Sequence, residues 1–161
     1  MGHWIKMEDK EIDQLIVDFL KVAKLAGVDI PVRSITTEVL RQPHTPPTEL
    51  SSGKMAVYVF FWNEVCLKVG KVGPKSQARY TNQHYNPHGS NSTLAKSILK
   101  GQKELGLHNL TEPTVGNWIK SNTDRLNIIL DVSLGVLVLS LLEVFLQCRL
   151  SPKFEGFNSQ K

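Results

Sequence analysis

Two apolar runs rich in β-branched and aromatic residues, MAVYVFFW (55–62) and VCLKVGKV (65–72), are separated only by Asn63-Glu64. Strand-forming segments joined by so short a link fold back on each other, so the spacing predicts an antiparallel hairpin. Pro74 ends the second strand, because a proline has no N–H to give to a ladder. The rest of the chain must be arranged around this hairpin.

Upstream, Ile12, Leu15, Ile16, Phe19, Leu20 and Ala23 recur at spacings of three and four, which predicts an amphipathic helix over 8–26. Glu8, Asp9, Glu11 and Asp13 crowd its first turns, where the helix dipole favours acids, and Gly27 is a natural stop. A shorter helix is expected from Ser34 to about Arg41. RQPHTPPTELSSG (41–53) holds three prolines and reads as a linker. The expected organisation is a helical extension over 1–41, a linker over 42–53 and the main domain over 54–161.

Downstream of the hairpin, KSQARYTNQHY (75–85) suits a short helix and NPHGSNS a polar loop. Asn91 or Ser92 can cap a helix carrying Leu94, Ile98 and Leu99, and Pro113 suits a first helical turn. RLNIILDV (125–132) is a third strand, 136–150 a long helix, and SPKFEGFNSQK a coil. Three strands and several helices in mixed order predict an α/β or α+β domain with a small antiparallel or mixed sheet.

Composition narrows the function classes. The chain has 161 residues, 41% hydrophobic and 21% charged, which excludes wholesale disorder and leaves room for one domain with an extension. Its net charge of +4 is unevenly spread. Residues 1–53 carry six basic and eight acidic side chains, 54–125 ten and four, and 126–161 three of each. A segment at +6 either meets a polyanion, through phosphate contacts that release counterions, or is a solvated basic face. Cys66 and Cys148 sit in apolar runs and read as buried free thiols of a reducing cytosol. The N-terminus turns acidic at once, with no apolar h-region of a secretory signal. LNIILDVSLGVLVLSLLEVFL (126–146) is long enough to suggest a membrane span, but Asp131, Gly135 and Glu143 interrupt it and its flanks lack anchors. A soluble, cytoplasmic protein is expected.

Among motifs, GKVGPKS (70–76) lies between a strand and a helix like a phosphate-binding loop, yet its glycines and Lys75 are wrongly spaced. His84 and His88 have no second ligand pair at a usable spacing, so surface histidines are the expectation. Ser140, Glu143 and Gln147 form a narrow polar stripe on an otherwise apolar helix. Glu143 either points into a cleft, where a buried carboxylate needs a partner such as a cation, or the stripe is the helix's solvent face.

Taken in order, Ala56-Val57-Tyr58, Lys68-Val69-Gly70, Arg79 in ARYTNQH, Glu143 in LLEVFL and GFN (156–158) resemble the motifs of the GIY-YIG nuclease superfamily, over roughly residues 54–158. Ala56 stands in place of the first motif's glycine and Lys68 in place of the second motif's tyrosine. The lysine resembles a branch, restriction endonucleases included, whose second motif reads K-x-G. The resemblance implies a divalent-metal-dependent DNA endonuclease, of the restriction or defence kind, with catalytic Tyr58, Lys68, Arg79 and Glu143. Glu143 would hold one Mg²⁺ or Mn²⁺, Arg79 would clamp a phosphate oxygen, and Tyr58 would take the proton of the attacking water. Lys68, on the paired strand, is a cation that would lower the Tyr58 phenol. His84 and Asn158 are weaker, supporting candidates. Double-stranded DNA is the implied partner, and a homodimer would present two sites, one per strand. The competing readings are a DNA-binding module on the same fold that has lost activity, and an interaction protein whose basic face meets an acidic partner.

Overall fold

The computed structural model describes residues 7–89 and 92–154. It is an α+β fold in which a four-stranded, wholly antiparallel sheet is flanked by helices on both faces. The hairpin is present as β2 (Lys54–Trp62) and β3 (Val65–Val72), with a bulge at Phe60/Phe61. Asn63 and Glu64 both take positive φ, 48° and 66°, the left-handed pair that matches a two-residue turn to the twist of its strands.

The sheet has one strand more than expected. Residues 35–40, anticipated as part of a short helix, form β1 (Ile35–Leu40), preceded by a single 3-10 turn at Val32–Ser34. Three of its six residues are Thr or Val and a fourth is Ile, side chains whose branching suits a pleated surface. It pairs along its whole length with β4 (Asp124–Asp131), giving the order β1-β4-β2-β3.

One face of the sheet is covered by α1 (Asp9–Leu25) and α5 (Val136–Leu150), which pack Ile12, Leu15, Phe19, Ala23, Leu139, Leu142 and Leu146 onto Val57, Val59, Val69 and Ile128. The stretch anticipated as an extension thus supplies a helix and an edge strand to this same core. The opposite face carries α2 (Gln77–Thr81), a 3-10 turn (Gln83–Tyr85), α3 (Leu94–Gly101) and α4 (Glu112–Asn122). Pro113 lies in the first turn of α4. The cap of α3 is Thr93 rather than Asn91 or Ser92: its hydroxyl accepts from the Lys96 N–H at 3.1 Å.

The long apolar run is divided among β4, a 3-10 turn and α5, with Gly135 at φ 87° between them. Among the described residues no helix is long and apolar enough to cross a membrane. Cys66 is buried as expected, whereas Cys148 is exposed on α5, because it falls on that helix's outer face.

Candidate active site

The site gathers at β3, an edge strand of the sheet. Tyr58 of β2 faces Gly70 of β3 across the ladder, and its ring lies directly over that glycine. A Cβ at Gly70 would stand 2.2 Å from the Tyr58 hydroxyl, so only glycine lets the phenol cross its neighbour. This is the physical reason for the third position of the Lys68-Val69-Gly70 tripeptide.

Two N–H donors converge on the Tyr58 Oη. Arg79, on α2, donates through Nε at 3.2 Å, and His84, on the 3-10 turn, lies 2.6 Å away through Nε2. The tautomer of His84 follows from its other side. The Leu94 backbone N–H points at Nδ1 at 3.2 Å, so Nδ1 carries no proton, and the neutral ring holds its hydrogen on Nε2. His84 therefore donates to Tyr58. Burial first, then the charges of Lys68, Arg125 and Arg79, pushes the His84 imidazolium down to about 2. Contrary to the expectation of a surface histidine, His84 is buried; His88 is exposed, beside Glu112 at 3.5 Å.

Burial pushes the Tyr58 phenol up from its ordinary value, Arg79 and then Arg125 oppose that, and Glu143 adds to it. The resting group is thus a phenol whose oxygen already accepts from two donors, an arrangement that would favour a phenolate once the proton left. Arg79 makes no other hydrogen bond or ion pair among the described residues, and its side chain is partly exposed, so its terminal nitrogens remain for an incoming anion.

Lys68 is only 6% exposed and donates to the Ser92 hydroxyl at 3.1 Å. Its charge acts on His84, whereas Arg79 and then Arg125 are the cations that lower the Tyr58 phenol. The cation proposed from the hairpin pairing is therefore supplied mainly from α2 and β4.

Glu143 approaches β3 from the opposite face of the sheet. The stripe of Ser140, Glu143 and Gln147 is not the solvent face of α5; that is formed by Val136, Leu137 and Val144, while the Glu143 side chain is 16% exposed. Gln147 donates to its Oε1 at 3.3 Å, and the Lys71 ammonium lies 3.1 Å from Oε2 and 3.2 Å from the Ser140 hydroxyl. The Lys71 contact is an ion pair without hydrogen-bond alignment, which leaves the buried Oε2 with no hydrogen bond. Lys71 adjoins Gly70, so Tyr58 and Glu143 reach neighbouring residues of one edge strand from its two sides.

Among the described residues no three His, Cys, Asp or Glu side chains converge on a point. Glu143, whose buried Oε2 faces Lys71 but accepts no hydrogen bond, is the donor that suits a hard cation, of the kind held by a single carboxylate with water and substrate oxygens. Asn158 lies outside the described residues.

The structure adds two residues to those expected. Lys71 sits one position past the second tripeptide and reads in sequence as an exposed strand residue. Arg125 is the second residue of β4, after Asp124, and resembles a strand-end charge pair, yet it is fully buried against the Tyr58 ring at 5.5 Å. A basic residue directly before the apolar run of β4 is the only signal that could have drawn attention to it. No family model, curated protein or solved structure matches this chain.

Proposed function

We propose that this protein is a divalent-metal-dependent endonuclease that hydrolyses phosphodiester bonds of DNA, of the GIY-YIG kind. The observation that carries the reading is the convergence of Arg79 Nε and His84 Nε2 on the Tyr58 hydroxyl, across a glycine whose Cβ would stand 2.2 Å from that oxygen.

Hydrolysis needs a proton acceptor for water, positive charge at the phosphoryl oxygens and a held phosphate. Arg79 is placed to meet the third need with its unoccupied terminal nitrogens, whose planar fork matches a phosphate edge. As that guanidinium shifts toward the phosphate it uncovers the phenol, which is buried at rest. Once uncovered, Tyr58 first loses its own proton to bulk water; the His84 N–H, with the charges of Arg79 and Arg125, stabilises the phenolate. The phenolate then takes one proton from water as the water oxygen bonds to phosphorus and the ester P–O bond breaks, the leaving sugar oxygen taking its proton from solvent water. Glu143 would hold Mg²⁺ or Mn²⁺ through Oε2, and such an ion supplies charge at the phosphate and a more acidic water. Lys71, now on that carboxylate, has to swing away. Burial, reinforced by the charge of Lys68, keeps His84 neutral with its one proton on Nε2.

One observation favours a second reading, a DNA-binding module without activity: the Glu143 carboxylate is already paired with Lys71. Incubation with supercoiled plasmid and Mg²⁺, beside Glu143→Ala and Tyr58→Phe, separates the two. Nicked or linear product from the parent chain alone is expected, with at least a hundredfold loss in either variant, the scale of a lost general base. Undiminished cleavage by Glu143→Ala would sink the metal role. Plasmid binding without cleavage under Mg²⁺ or Mn²⁺ would establish the second reading.

A further inference from the structure

Arg125 is the largest of the fully buried side chains, and among the described residues no carboxylate lies within ion-pair distance of it. A guanidinium removed from water without a counter-ion is costly, and an apolar side chain of similar volume would be cheaper at such a place. Its surroundings are built for it nonetheless. Nε donates to Asn127 Oδ1 at 2.8 Å, Nη1 to Tyr85 Oη at 3.3 Å and Nη2 to the Tyr80 carbonyl at 2.6 Å. The guanidinium carbon lies 5.1 Å from the Tyr80 ring centroid, 5.2 Å from that of Phe60 and 5.5 Å from that of Tyr58.

The tether to Tyr85 is directional. His44 Nδ1 lies 2.9 Å from the Thr123 carbonyl, which can only accept, so Nδ1 carries the ring proton. Nε2 is then an acceptor, and the Tyr85 hydroxyl donates to it at 2.8 Å. The lone pairs of Tyr85 are thereby turned to Arg125. Glu38 of β1 lies beyond Asn127, whose Nδ2 is 3.4 Å from Oε2, and it also bears on Tyr80, but it makes no ion pair with Arg125.

We propose that Arg125 is a positioning residue of the candidate site, its uncompensated guanidinium fixed against the Tyr58 ring to set the electrostatic surroundings in which Tyr58 and His84 work. This extends the nuclease reading and rests on it for its meaning in catalysis. The charged and titratable groups facing Tyr58 are Arg79 and Tyr80 of α2, His84 and Tyr85 of the 3-10 turn, Lys68 of β3, Glu143 of α5 and Arg125 itself, with Glu38 beyond Asn127. Arg125 is the cation among them with no route to solvent. Burial of the phenol is countered by Arg125 after Arg79, and the same charge helps hold His84 neutral.

The test reads Tyr58 directly, without metal or DNA. The full chain contains three tyrosines, so ¹³Cζ-tyrosine labelling yields three resonances, assigned with Tyr58→Phe and titrated upward from pH 7. Arg125→Met is expected to raise the Tyr58 midpoint by about one pH unit, a tenfold loss of phenolate at a given pH. Arg125→Lys, which keeps a charge, is expected to recover part of that shift. An unmoved Tyr58 midpoint in Arg125→Met with native circular dichroism overturns the proposal, as does a Lys variant that tracks the Met variant, since that marks packing alone. If Arg125→Met does not fold, Arg125→Lys decides: it is expected to move the Tyr58 midpoint and lower kcat with KM unchanged, and no change in either overturns the proposal. A shifted midpoint in a chain that never cleaves DNA would leave the positioning role intact and remove the nuclease reading.

Discussion

Gly70 is where a single absent methyl group decides the site. With an added Cβ only 2.2 Å from the Tyr58 hydroxyl and 2.5 Å from its Cζ, Gly70→Ala must push the ring aside and break its bonds to Arg79 and His84. Overpacking of this kind costs about 1–3 kcal/mol, so the expected result is a lowered melting temperature together with loss of plasmid cleavage. A variant that keeps both would show that the ring does not depend on that gap. His84 makes its own prediction through pH. Its folded-state value is depressed to about 2 from an ordinary 6.5, so between these limits the unfolded chain binds a proton that the folded chain does not. The stability it contributes is complete above pH 6.5 and is lost as pH falls toward 2, at up to about 1.4 kcal/mol per pH unit. His44, also pushed down by burial, adds in the same direction. Urea midpoints at pH 7 and 5 are expected to fall with acidification, and His84→Asn to flatten the dependence; an unchanged slope would contradict a neutral, buried His84. Lys71 competes with any cation for Glu143, so Lys71→Met is expected to tighten Mn²⁺ binding several-fold by calorimetry, and unchanged affinity would mean that the ion pair is irrelevant to the metal.

At the scale of elements, legibility followed how local each cause was. The hairpin was readable because two residues leave no other connection, and α5 because its apolar run starts after Gly135 and ends at Leu150. β1 was not readable: its sequence ITTEVL has no strand period of its own and becomes a strand by pairing with β4, about ninety residues away. The cap of α3 was displaced by one or two residues because Asn91, Ser92 and Thr93 all have capping side chains, and only packing selects Thr93, which is fully buried. Thr93→Ala is expected to destabilise the protein by about 1 kcal/mol, visible as a shift of the urea midpoint, because it removes the acceptor for the Lys96 N–H. A neutral result would place the cap elsewhere.

Across the whole molecule, the +6 segment and most of the candidate site coincide: Tyr58, Lys68, Arg79 and His84 all lie within 54–125, while Glu143 and the candidate Asn158 come from outside it. If this surface meets a phosphate backbone, duplex binding measured in Ca²⁺ should weaken at least tenfold between 50 and 200 mM salt, and Arg79→Ala should reduce the slope of log K against log salt by about one. Salt-independent binding would remove a polyanion as partner. The sequence alone determined the hairpin, the main helices, the α+β class and the order of the motif residues, because these depend on side-chain periodicity and on links a few residues long. Only the tertiary structure decided that β1 is a strand, that His84 is buried as a donor, that the Glu143 stripe faces Lys71, and that Arg125 lies under Tyr58. Each of these depends on a partner far along the chain, and burial and charge at such a contact are properties of the pair, which neither local sequence carries.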